Sequence, residues 1–128
     1  MTTKLAELLT VFETLWPVSG ADDWDEVGLA SGSLDQPISK VLFCVDPTLA
    51  VLQEAKSKSC QLVVSHHPLL LEGVHSVAQG ELKGDIVSYA ITNSIALFAA
   101  HTNADIVPGG VSDVLANRIG IKNTVPLV

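Results

Sequence analysis

Short apolar runs alternate along this chain with longer segments of helical period, and that alternation restricts the available folds more than any other feature. Lys40–Val45 (KVLFCV), Gln61–Ser65 (QLVVS) and Ser94–Ala100 (SIALFAA) are strand-length and apolar. Val27–Ala30, closed by Ser31-Gly32-Ser33, adds a further short strand. Leu5, Leu8, Leu9, Phe12, Leu15 and Trp16 recur at helical spacing until Pro17 stops them. Asp46-Pro47 reads as an N-cap followed by proline at the first helical position, opening a helix through about Lys58 with Leu49, Leu52 and Ala55 inward. Glu81–Asn93 carries Leu82, Ile86, Tyr89 and Ala90 on one face, and Val111–Ile119 forms a last helix between Gly109-Gly110 and Gly120. Strands joined by such helices need crossover connections, which are right-handed and lay the strands parallel. The expected class is therefore α/β, a mostly parallel sheet with helices on both faces. KVLFCV, continuously apolar, reads as a strand covered on both faces.

The 128 residues suit one α/β domain over 1–128, and 48% apolar with 5% aromatic residues implies an aliphatic core. Fourteen acids against seven bases give a net charge of −7, which argues against a nucleic-acid surface because phosphate neutralisation needs clustered Lys and Arg. Acidic ligands held through metal ions remain compatible with that charge. The longest uninterrupted apolar stretch, Ile95–Ala100, is far short of a membrane span, and Met-Thr-Thr-Lys leads into an amphipathic pattern rather than an apolar signal region. Cys44 and Cys60 sit inside apolar runs and outside any Cys-x-x-Cys pair, so the expectation is free thiols in a reducing cytoplasm. No Walker loop, Gly-x-Gly-x-x-Gly or Gly-x-Ser-x-Gly occurs, and Ser65, adjacent to His66 in sequence, is poorly placed for a triad.

The strand ends carry the chemistry. Parallel sheets gather ligands beyond the carboxyl ends of their strands, and three expected strands end in Asp46, in His66-His67, and in His101 with Asp105. Neighbouring strands would bring these side chains to one rim. Imidazole is the commonest neutral ligand for zinc, iron and nickel, and carboxylate favours harder ions. Adjacent histidines point in different directions and suit two neighbouring ions, or one ion plus a supporting role, with Pro68 holding His67 extended. Each cluster has a plainer reading: His66-His67-Pro68 as a polar turn, Asp46 as an N-cap, and Asp105 as the cap of a following helix with His101 locally satisfied. Pro108-Gly109-Gly110 weakens the last of these, and two such clusters at successive strand ends favour a metal site. His75, without a patterned partner, reads as an exposed loop histidine. Asp22, Asp23, Asp25 and Glu26 read as a solvated charge run, although Trp24 is an odd residue to expose among them.

Trp24-Asp25-Glu26-Val27-Gly28-Leu29, Ser65-His66-His67-Pro68-Leu69 and His101-Thr102-Asn103-Ala104-Asp105 occur in an order and spacing that resembles the N-terminal half of the NIF-three-like family (NGG-interacting factor three). Val45-Asp46-Pro47-Thr48 and Gly110-Val111-Ser112-Asp113 also suit it. These are dinuclear metal-centre proteins labelled GTP cyclohydrolase I type 2 homologues. The resemblance implies an α/β fold assembled into toroidal homohexamers around a two-metal site. It implies His66, His67 and Asp105 as metal ligands, with His101 beside them orienting a ligand or shuttling a proton, and the Trp24-Asp25 motif lining the same region. The implied ions are divalent: zinc, iron, manganese or nickel. The implied activity is metal-dependent hydrolysis of a nucleotide or another phosphate-bearing molecule. In the family a histidine and a glutamate near the C-terminus of a longer chain complete the site. Here no histidine follows His101 and no glutamate follows Glu81, so the expectation is weak or single metal occupancy. A non-catalytic metal-binding scaffold or regulatory module is the alternative. The ending Val125-Pro126-Leu127-Val128 reads as a chain that breaks off in mid-strand, as a truncated product of a longer gene would.

Overall fold

The structure, a computed structural model, describes residues 2–125. The last three positions of the expected terminal strand, 126–128, lie outside the described residues. Strand β1 (Thr3–Lys4) leads directly into helix α1 (Leu5–Leu15), whose start is held by Glu7: its carboxylate accepts the Lys4 N–H at 2.9 Å and the Thr3 hydroxyl. Pro17 ends the helix as its sequence requires, and a short 3-10 turn, Val18–Gly20, follows. Strand β1 pairs antiparallel with β3 (Pro37–Ile38) to tie this end of the chain down.

The main sheet runs in the order β2 (Gly28–Ser31), β6 (Ala96–Ala99), β5 (Leu62–Ser65), β4 (Val41–Cys44). The β4–β5 and β5–β6 pairs are parallel, and β2 joins antiparallel with a bulge between Leu29 and Ser31. The period of two splits the side chains of β5 and β6 between two cores. Leu62, Val64, Ala96 and Phe98 pack with Leu5 and Phe12 of α1 on one face. Val63 and Leu97 pack on the other with Leu52 and Ala55 of α2 (Leu49–Ser57) and Ile86 and Ala90 of α3 (Leu82–Thr92). The result is the expected α/β arrangement with helices on both faces.

Helices α2 and α3 both end on a serine in the left-handed region, Ser59 (φ 56°) and Ser94 (φ 53°). In each, the next N–H reaches back five residues, Cys60 to the Ala55 carbonyl at 2.8 Å and Ile95 to the Ala90 carbonyl at 2.9 Å. This closure turns the chain straight into β5 or β6 and so sets where those strands finish.

Three expectations need correction. Strand β4 is not covered on both faces: it is the sheet's outer strand, and Phe43 is 66% exposed. A continuous apolar run does not distinguish a strand with two neighbours from one with a single neighbour. Asp46 does not cap α2; Thr48 does, its hydroxyl accepting the Val51 N–H at 3.3 Å. Asp105 is not the cap of a following helix: a short helix, α4 (Thr102–Ile106), comes between β6 and α5 (Val111–Arg118). Asp105 lies inside α4 and does not cap α5, whose preceding Gly109 N–H is taken by Asp113 at 2.8 Å. No helix among the described residues is long and apolar enough to cross a membrane.

Candidate metal centre

Parallel pairing of β4, β5 and β6 places their carboxyl ends side by side, and each delivers polar residues to the same rim. Beyond β5 the chain stays in register for two residues: His66 N–H bonds the Cys44 carbonyl at 3.0 Å and His67 N–H the Val45 carbonyl at 2.9 Å. The buried Ser65 hydroxyl then donates to the His67 carbonyl at 2.8 Å, fixing the turn that presents both imidazoles. Beyond β6, the fully buried Asn103 accepts the His101 N–H at 3.0 Å and donates to the Trp16 carbonyl at 2.8 Å. That pair of bonds anchors the start of α4 to the end of α1.

His66, His67 and His101 converge. One ring nitrogen from each lies within 4.8 Å of the other two, and the ring centroids are 5.0 to 5.6 Å apart. Every Nδ1 is engaged by an oxygen: His66 with the Ala100 carbonyl at 3.1 Å, His67 with Asp46 at 2.8 Å, and His101 with Asp25 at 2.9 Å. A carbonyl or carboxylate can only accept, so each Nδ1 carries a proton, and in the neutral ring Nε2 keeps its lone pair. This is the tautomer a metal-binding histidine needs. Zinc–nitrogen bonds of about 2.0–2.1 Å put tetrahedral ligand atoms roughly 3.4 Å apart, so rotations drawing the nitrogens in by about 1 Å would close the triplet on one ion. The donor set fits a divalent cation.

Asp105 stands beside the triplet, its Oδ1 3.9 Å from His66 Nε2. That is too long for a hydrogen bond but within the roughly 4.2 Å that two ligands of one ion can span. The structure therefore gathers all four residues singled out in sequence, His66, His67, His101 and Asp105, with His101 inside the imidazole triplet. His75 is exposed in a loop, as expected.

Asp25 is the residue that the solvated-loop reading misplaced. Its side chain is fully covered; Oδ1 accepts from His101 Nδ1 and from Glu26 N–H at 2.8 Å, and Oδ2 accepts from Thr102 N–H at 3.1 Å and from the Thr102 hydroxyl. Burial pushes its pKa up, but the hydrogen bonds from Thr102 and His101 outweigh burial and hold the carboxyl below the usual 3.8. Trp24, next to it, sets its ring edge-on to His101 at 5.9 Å. An exposed tryptophan inside an acidic run was the signal pointing here. Asp46, displaced from its expected capping role, holds His67 instead.

Cys44 and Cys60 are free thiols. Burial and then the neighbouring Asp46 charge push the Cys44 thiol up to about 11.

The chain is similar in sequence and in fold to known proteins. The Duf34/NIF3 (NGG1p interacting factor 3) family model matches residues 3–128. The chain belongs to this family. A GTP cyclohydrolase 1 type 2 homolog of Streptomyces coelicolor is 45% identical over 125 residues, 98% of this chain and 44% of that protein. A protein of the same description from Staphylococcus aureus is 41% identical over 120 residues, 32% of its length. Among solved structures, a Bacillus cereus protein related to NIF3 superposes with a TM-score of 0.94 at 35% identity, over 99% of this chain and 35% of that one. Reduced HcgD from Methanocaldococcus jannaschii superposes with a TM-score of 0.91 at 31% identity, over 51% of its length. The chain thus spans less than half the length of these curated relatives, and within the NIF3 family it corresponds to the N-terminal part.

Proposed function

We propose that this chain binds a divalent cation through Nε2 of His66, His67 and His101, with Asp105 as the adjoining oxygen donor, and that the site serves hydrolysis of a nucleotide or another phosphate-bearing molecule. The observation that supports this reading most is a common hydrogen-bond pattern: three converging imidazoles each have Nδ1 bonded to an oxygen acceptor. An imidazole-rich set with one carboxylate suits zinc, iron or nickel and admits manganese. Three imidazoles and one carboxylate supply one coordination sphere rather than two, which supports a single ion per chain.

A bound divalent ion contributes Lewis acidity, polarising a phosphoryl oxygen and acidifying water. The protein's part is positional. The Ala100 carbonyl and Asp25 fix the His66 and His101 rings before a ligand arrives, and the exposed Asp46 holds His67 more loosely. Asp105, beside His66 and partly open to solvent, presents a carboxylate oxygen where a substrate hydroxyl or water would approach. The names of the Streptomyces and Staphylococcus relatives are consistent with a nucleotide substrate. We also propose a homo-oligomer, hexameric by family resemblance, acting in the cytoplasm. Exposed apolar side chains such as Val45, Ile119 and Ile121 would be covered in such an assembly.

Elemental analysis after dialysis against zinc, iron, manganese or nickel, paired with nucleotide hydrolysis by the loaded protein, tests the reading. One ion per chain and activity lost in the His66→Ala, His67→Ala double variant are expected. Metal bound without turnover would favour the scaffold reading, and metal retained by the double variant would remove these histidines from the site. Solution mass by light scattering tests the assembly against multiples of 13.5 kDa.

A further inference from the structure

We propose that the cleft beside the histidine cluster binds a small aromatic anion, with Arg118 as its anchor. The cleft is open to solvent and holds about 500 Å³, within the range of roughly 300–1,000 Å³ typical of small-molecule sites. Its floor is made of short, buried side chains at the strand ends and in α4, namely Ser65, Ala100 and Ala104, and their small size leaves the space open. Trp16 and Phe43 contribute aromatic walls, which suit a flat ring. His66 lines the same cleft, so one end of a bound molecule would meet the imidazole cluster. In this the inference rests on the metal-site reading above.

The anionic requirement comes from Arg118. It is the single arginine in the chain, it lines the cleft from the last turn of α5, and it forms no ion pair among the described residues. A guanidinium offers a planar fork that matches a carboxylate or phosphate. In a protein of net charge −7, an arginine with no ion pair among the described residues, bordering a mostly apolar cleft, selects a ring-bearing molecule with one such group.

Binding of 1-naphthyl phosphate, 1-naphthoate and uncharged 1-naphthol to metal-stripped protein, followed by NMR shift changes, tests this. The anions are expected to bind about tenfold more tightly than naphthol, as a charge-assisted hydrogen bond supplies. Arg118→Gln should abolish that preference, and Val114→Trp, at a half-exposed position on the cleft wall, should weaken all three. The phosphate and carboxylate arms show which anion the fork prefers. Equal binding of naphthol, an unchanged preference in Arg118→Gln, or cleft residues found covered by a second copy of the chain would each overturn the proposal. Zinc stoichiometry separates the two readings: wild type that takes zinc but no naphthyl anion defeats only the cleft, and the reverse defeats only the metal site.

Discussion

Replacing Asp25 tests how the site is held, because this carboxylate is fully covered and accepts four hydrogen bonds through two oxygens. Asp25→Ala strands the donors on His101, Glu26 and Thr102 together. Removing one partner from such a covered, charged network costs about 3–5 kcal/mol. Asp25→Asn is gentler. Its amide oxygen can still face His101 Nδ1 and the Glu26 N–H, while its NH2 group meets the Thr102 hydroxyl, which can turn to accept. The Thr102 N–H alone is then opposed by another donor, at a cost of about 1–3 kcal/mol. Both variants loosen the His101 ring, and losing such an outer partner lowers metal affinity roughly 10–100-fold. Urea unfolding of the metal-free protein gives the stability losses, and zinc competition against a chromophoric chelator gives the affinity. Refutation has a clear form: Asp25→Asn folding normally and binding zinc within twofold of wild type. That result would mean that the Asp25 contact supports the loop and leaves the imidazole unaffected.

Asp46→Asn should lower zinc affinity less than Asp25→Asn in the same competition assay, since Asp46 is 64% exposed and water can replace its bond to His67. Ser94→Gly should raise stability by about 0.5–1 kcal/mol, roughly 2–6 °C in Tm by calorimetry, because Ser94 sits at φ 53° where glycine carries no steric cost. Gly32→Ala should lose about 1–3 kcal/mol or more on denaturant unfolding: at φ 139° its Cβ would stand 2.7 Å from Ala96 Cβ and crowd β6. Cys44 should resist iodoacetamide at pH 8, because a thiol near 11 is only about 0.1% thiolate there, against roughly a quarter for an ordinary cysteine; peptide mapping reads an alkylation rate at least about 100-fold below that of glutathione.

The main elements were legible in the sequence because each carried its own period. Leu5 to Trp16 repeats at helical spacing, and QLVVS is a short, apolar, β-branched run between two helical segments, as a buried strand is. The rim of histidines followed from topology alone: parallel strands put His66, His67 and His101 on one side. What the sequence concealed was pairing between distant parts. Asp25 looks like any loop acid until Thr102 and His101, more than 70 residues away, surround it. Asp46 offered two partners, a helix N-terminus and a histidine on the neighbouring strand, and local reasoning favoured the nearer one. Thr48 took the cap and left Asp46 for His67. Helix α4 was missed because its five residues are too few to show a period.

The three imidazoles are held by supports of different stiffness, and this bears on what the site can do. His66 rests on a backbone carbonyl at the end of a buried strand, which no side-chain motion can remove. His101 rests on a covered carboxylate that is itself fixed by Thr102. His67 rests on an exposed aspartate after the outer strand, and its own side chain is half exposed. Two of the imidazoles are therefore pre-set while the third swings at little cost. Closing a triplet spread over as much as 4.8 Å onto one ion needs movements of about 1 Å, and the His67 ring supplies its share most easily. In the proposed site His67 would be the ligand that forms last and releases first, so His67→Ala should chiefly speed metal dissociation, whereas His66→Ala should remove the site's fixed point.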